Sequence, residues 1–161
     1  MVKANSSQQN LQASILDRLI DLEPEVSREP VQRRFLTLGQ AKASVVRDLE
    51  NILNTKRSVL VPPNSCKEVN SSLFLYGLQD FTAQSPKSAM VRQLLRQQIE
   101  KAISRFEPRL KNVRVNFEVS MQDERTLGFR ISGLLVVDPV TEPVTFDTYF
   151  DVIKGEYVIS K

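Results

Sequence analysis

Hydrophobic positions along the chain keep two different periods, helical up to about Phe106 and alternating from Val113 onward. The first helical stripe is short: Ile15, Leu16, Leu19 and Ile20 follow Ser14-x-x-Asp17, a capping-box pattern, and Pro24 lies just beyond. A second helix is predicted from Gln40 to Asn54. Ala41, Val45, Leu49, Ile52 and Leu53 recur on one face there, while Lys42, Arg47, Asp48 and Glu50 avoid it. A loop from Pro62 to Asn70 leads into SSLFLYGLQDF (Ser71–Phe81), where Gly77 interrupts an apolar run and predicts a packed turn. The longest stripe opens at Ser85 with Pro86 at the first helical position and carries Met90, Val91, Leu94, Leu95, Ile99, Ala102, Ile103 and Phe106. Met90, Leu94 and Ile103 are expected in the core, and Pro108 stops the helix.

In the second half Val113, Val115, Phe117 and Val119 alternate with Arg114, Asn116 and Glu118, as a half-buried strand requires. The segment Leu127–Val137 is apolar on both faces and reads as a central strand. Beyond the Asp138-Pro139 turn, Val144, Phe146, Thr148, Phe150 and Val152 alternate with Asp147 and Asp151, and Gly155 turns the chain into Tyr157–Ile159. The order of elements gives an α+β domain, N-terminal helices packed on a C-terminal antiparallel β meander. Its edges are expected at Val113–Val119 and Val144–Ile153, with Arg114, Glu118, Asp147 and Asp151 as charged guards.

With 161 residues and 41% hydrophobic content, the chain suits one domain, expected at 14–161 behind a flexible N-terminal tail, 1–13, poor in large apolar residues. Basic residues (22) and acidic ones (19) are interspersed, so the net charge of +3 does not point to nucleic acid. Histidine is absent and Cys66 is the single cysteine, which removes the usual zinc, haem and iron–sulfur ligand sets and every histidine base. No metal, cofactor or disulfide is expected. Without an export-type h-region or a long apolar run, the cytoplasm is the expected location.

One junction carries more chemistry than its neighbours. In Glu107-Pro108-Arg109 the proline disfavours the α region for Glu107, and residues two apart in an extended segment point the same way. Glu107 and Arg109 can therefore form a carboxylate–guanidinium unit, either inside the fold or across an interface. Asp17 and Arg18 sit on a helix too short to stand alone, so its apolar face must dock on its own domain or on a partner.

Four local patterns, SILDRLID (Ser14–Asp21), VVRDLENILNTK (Val45–Lys56), SSLFLYGLQDF and FEPRL (Phe106–Leu110), together resemble the TssE family of type VI secretion baseplate subunits and its relatives. Those relatives are the phage baseplate wedge proteins often labelled lysozyme-like, and the resemblance spans Ser14 to about Phe150, most of the chain. SILDRLID resembles the family's first helix. VVRDLENILNTK resembles its Arg-Asp-Leu-Glu helix, with Lys56 in place of an arginine, and SSLFLYGLQDF resembles its Tyr-Gly-Leu-Pro-Asp-Phe element, with Gln79 in place of proline. FEPRL carries the Glu-Pro-Arg signature. The resemblance implies a baseplate wedge-like fold and a structural role joining the wedge to the contractile sheath and templating its assembly. It implies wedge partners TssK, TssF and TssG, sheath partners TssB and TssC, several copies around a tube axis, and a place near the inner membrane. The assembly residues it points to, with the edge guards, are Glu107, Pro108, Arg109, Asp17, Arg18, Arg114, Asp147 and Asp151. The alternative carried by the lysozyme-like label, a peptidoglycan hydrolase, needs two placed carboxylates with one pKa raised, and an arginine beside Glu107 works against that. The equivalent protein of a contractile-tailed phage is the other alternative.

Overall fold

The computed structural model describes residues 11–20, 24–25, 35–81, 88–117, 126–151 and 154–160. Asp21, Ser85, Pro86, Glu118, Val119, Val152 and Ile153, which the sequence reading invoked, lie outside them. Two short strands, β1 (Leu11–Gln12) and β2 (Phe35–Leu36), pair antiparallel and bracket helix α1 (Ile15–Leu19). Leu11 is fully buried. Leu11, ahead of the Ser14 boundary that composition suggested, is thus already paired and buried.

Helix α2 (Leu38–Asn54) starts two residues earlier than the predicted Gln40, and the reason is its cap. Thr37 and Gln40 form a reciprocal box in which the Gln40 N–H donates to Thr37 Oγ1 and the Thr37 N–H donates to Gln40 Oε1 at 2.8 Å. Ala41, Val45, Leu49, Ile52 and Leu53 are all buried, as the spacing predicts. Burying each large side chain contributes about 1.5–3 kcal/mol relative to exposure. A five-residue helix α3 (Lys67–Ser71) and a 3-10 turn (Leu73–Leu75) follow.

Helix α4 (Ala89–Phe106) has Ser88 at its N-cap, and the Ser85–Pro86 start suggested by the sequence lies outside the described residues. It buries Leu95, Ile99, Ala102 and Ile103. Met90 and Leu94, expected in the core, are instead 73% and 42% exposed. At about 100° per residue Met90 falls on the far side of the helix from Leu95, Ile99 and Ala102 and Leu94 on its flank, and the packing covers only the face of those three.

The sheet is an antiparallel meander of four strands in the order β3 (Leu110–Phe117), β4 (Thr126–Val137), β5 (Val140–Asp151) and β6 (Glu156–Ile159). Phe129 faces Phe117 on one side and Thr148 on the other, and Thr148 in turn faces Ile159. Inward residues Val115, Phe129, Ile131, Leu135, Val144, Phe146 and Ile159 join the buried faces of α2 and α4 in one core. A register shift between Lys111 and Arg114, with Asn112 at φ 54°, marks a bulge in β3. Across from it, a Cβ on Gly133 would come within 3.0 Å of the Lys111 carbonyl, so the bulged strand packs directly on glycine backbone. The α+β reading holds. The expected edge at Val144–Ile153 does not, because β6 pairs with β5 over Thr148–Asp151 and takes the edge position there.

Candidate functional site

Proline at 108 ends α4, and Glu107 leaves the helix with φ −121° and ψ 79°, its backbone N–H still donating to Ile103 at 2.8 Å. That geometry turns the Glu107 and Arg109 side chains together, underneath α2. Arg109 grips Glu107 with a fork: Nε donates to Oε1 at 2.7 Å and Nη2 to Oε2 at 2.6 Å. Its remaining donors reach α2, Nη1 to Ser44 Oγ at 2.7 Å and Nη2 to Asp48 Oδ2 at 2.5 Å. The Arg109 Nη1 also lies 4.0 Å from Asp17 Oδ2 on α1. The Glu107 side chain is only 3% exposed.

A second guanidinium completes the cluster. Arg47 Nε donates to Asp48 Oδ1 at 3.0 Å. Its Nη2 sits 2.8 Å from Asp17 Oδ1 and 2.9 Å from Asp48 Oδ1, an ion pair with both carboxylates. Asp17 also takes the Ser14 hydroxyl hydrogen at 2.6 Å. Two guanidiniums and the carboxylates of Asp17, Asp48 and Glu107 thus tie α1, α2 and the α4–β3 junction into one ionic layer. Burial pushes the Asp17 carboxyl up, but the Ser14 hydroxyl and the Arg47 and Arg109 charges outweigh it and hold the pKa below the ordinary aspartate value. The Glu107 fork, which outweighs the opposing effect of burial, raises the Arg109 pKa, so its charge is fixed at any working pH. Tyr76 packs edge-on against Phe106 at 5.1 Å, and burial together with the Asp48 and Glu107 charges raises its phenol pKa.

Residues 39–140, from the start of α2 into β5, match the sequence profile of a family described as baseplate wedge protein gp25. This span is more than half of the chain. The chain belongs to the baseplate wedge protein gp25 family. No curated protein sequence matches it. Among solved structures, a chain from "The baseplate complex from the type VI secretion system" aligns at 20% identity, covering 69% of this chain and 94% of that chain, with a TM-score of 0.49.

Within this wedge-family chain, Glu107, Pro108, Arg109 and Asp17 come together in the ionic layer, and an open groove of about 790 Å³ runs beside it toward the β4–β5 turn. The other residues singled out by sequence stand apart. Arg18 is exposed on α1 and Arg114 on β3; Asp147 pairs across the sheet with Arg130 at 2.6 Å. Asp151 supports the β5–β6 turn, its side chain accepting from the Lys154 N–H and its carbonyl from the Gly155 N–H. Ser44, Arg47 and Asp48 were missed as site residues. Ser44 and Asp48 are one helical turn apart and so share a face, but that spacing does not show that the face meets Arg109.

The second family pattern docks on the third. Leu78 N–H donates to the Thr55 carbonyl at 2.9 Å and Arg57 N–H to the Leu78 carbonyl at 2.8 Å, a two-bond parallel bridge. Lys56 Nζ meets Asp80 at 2.9 Å beside it. Gly77 is required for this approach, since its φ is +92° and a Cβ there would lie 2.2 Å from the Thr55 oxygen.

Proposed function

We propose that this chain is the TssE-type wedge subunit of a type VI secretion baseplate, a structural part that joins the wedge to the contractile sheath and templates its first ring. The observation that carries the reading is the FEPRL junction in its wedge-family context. Arg109 is engaged by Glu107, Ser44 and Asp48 of its own chain, so the signature acts as an internal brace that fixes α1 and α2 against the sheet. With the brace internal, docking falls to the outer surfaces: helices toward wedge proteins TssK, TssF and TssG, and the sheet toward sheath proteins TssB and TssC. Several copies on one ring multiply weak contacts through effective concentration. The assembly would sit in the cytoplasm near the inner membrane.

Catalysis has no part in this reading. A glycosidase acid must hold its proton near neutral pH, whereas Asp17 is shifted the other way and Glu107 is clamped by a guanidinium on both oxygens. The test is capture of the tagged chain from its native host together with imaging of fluorescent sheath in cells lacking it. Co-recovery of wedge and sheath proteins and loss of sheath assembly are expected. Normal sheath assembly without the chain, or release of fragments from purified peptidoglycan by the chain alone, would sink the proposal; recovery with phage tail proteins instead would move it to the phage assembly.

A further inference from the structure

Helix α1 is put together inside out. Ile15, Leu16, Leu19 and Ile20, the apolar stripe that predicted it, are all exposed, and none of its residues is buried. What points inward is Asp17, whose side chain is 9% exposed. Amphipathic surface helices are held the other way round, by an apolar face against the core, and a helix of five residues has little stability of its own. The attachment of α1 therefore lies elsewhere.

The cap does not supply it. Ser14 Oγ accepts the Asp17 N–H at 3.1 Å and gives its hydrogen to Asp17 Oδ2 at 2.6 Å, so both bonds stay within the turn. The backbone bonds stay there too, since the Arg18 N–H donates to the Ser14 carbonyl and the Ile20 N–H to the Leu16 carbonyl, each at 3.1 Å. Among the described residues, the polar contacts that leave α1 are those of Asp17, at 2.8 Å to Arg47 Nη2 and 4.0 Å to Arg109 Nη1. On the N-terminal side the chain is pinned by Leu11 and by the pairing of β1 with β2, which puts Ala13 between a fixed strand and the cap. Beneath α1, Arg47 has Asp48 as a second partner, and Arg109 has Asp48, Glu107 and Ser44. The layer thus stays satisfied when Asp17 is withdrawn, with two guanidiniums facing two carboxylates. Ser14 and Leu16 form one wall of the groove of about 790 Å³ beside it.

We propose that α1 is a latched strap: Asp17 holds it over the ionic layer, and it opens about Ala13 as a unit while α2, α4 and the sheet stay folded. Closed, it covers Arg47 and Arg109 with a carboxylate and walls the groove. Open, it bares both guanidiniums and widens the groove. Such a latch is electrostatic, so it loosens with salt, whereas a helix held by apolar burial does not. The inference is independent of sheath docking.

Hydrogen exchange of the full chain, read residue by residue by NMR, tests this. The Arg18 and Ile20 amides are expected to exchange through a local opening that dilute urea leaves unchanged, and the Val45 and Leu49 amides of α2 through a rarer opening that urea promotes. Raising sodium chloride from about 20 mM to about 500 mM should speed exchange in α1 about threefold or more and leave α2 as it was. Arg47→Met, which removes the nearer cation, should speed it about tenfold, and so should Asp17→Asn, which leaves Arg47 its contact with Asp48 and the layer intact. Leu19 is 76% exposed, and Leu19→Gln, matched in helix propensity, should leave α1 exchange unchanged after correction for intrinsic rates. The same urea dependence at Arg18, Ile20, Val45 and Leu49 would make α1 part of the global unit and overturn the proposal. So would α1 exchange that ignores salt and both charge variants, or that rises about tenfold in Leu19→Gln, since either result means that something other than Asp17 holds the helix.

Discussion

Replacing Arg109 by alanine removes the hub of the ionic layer, and the size of the effect follows from what is left behind. Glu107 would keep a carboxylate that is 3% exposed and would lose both halves of its fork, retaining the Arg109 backbone N–H at 3.2 Å. Ser44 and Asp48 would each lose a donor, and Asp17 a nearby charge. Removing one partner of a buried pair costs about 3–5 kcal/mol, and because the Arg109 side chain keeps 21% of its exposure the lower end applies, about 3 kcal/mol. For a domain of this size that is about 6–12 °C in Tm. In urea, at about 2 kcal/mol per molar, the midpoint should fall by about 1.5 M. Arg109→Lys should recover part of the loss, keeping the charge but not the fork. The decisive assay is a double-mutant cycle of Glu107→Gln and Arg109→Met followed by urea unfolding, with a coupling of about 1.5 kcal/mol or more expected. An Arg109→Ala protein with an unchanged midpoint, or a coupling near zero, would refute the idea of an internal brace. Sheath assembly in cells should fall with stability in the same variant.

Three further outcomes are expected. Gly77→Ala should lower stability by about 2 kcal/mol or more, beyond an ordinary glycine effect, because the added carbon meets the Thr55 carbonyl at 2.2 Å; chemical denaturation reads it directly. Deleting residues 2–10 should leave the melting midpoint in place, whereas Leu11→Ala should cost about 2–5 kcal/mol, since Leu11 is fully buried. Asp17 has a native pKa below its ordinary value, so its contribution is fully present above that ordinary value and is lost as pH falls through the native pKa. Acid unfolding followed by circular dichroism should therefore have a shallower limb in Asp17→Asn than in wild type.

Local features of the sequence went far with this protein. Alternation placed β3 and β5, the Asp138-Pro139 pair placed a turn that joins Val137 to Val140, and Pro108 marked the end of α4. Each depends on neighbouring residues alone, through φ restriction, side-chain period or capping, and so can be read without knowing what packs where. The link between Glu107 and Arg109 was legible for the same reason, as a two-residue spacing around a proline.

Contacts between distant segments were decided only by the tertiary structure. Nothing in the period of α2 distinguishes a solvated Asp48 from one that meets Arg109, because periodicity tells which residues share a face and not what that face meets. The same limit hid the exposure of Met90 and Leu94, since α4 carries apolar residues on two sides and the sheet covers one. The edges were hidden most deeply. Whether a strand is open depends on Glu100 reaching β3 from the preceding helix and on Asn54 and Glu50 reaching β6 from a helix about a hundred residues away, and side chains brought together by such packing leave no local pattern to read.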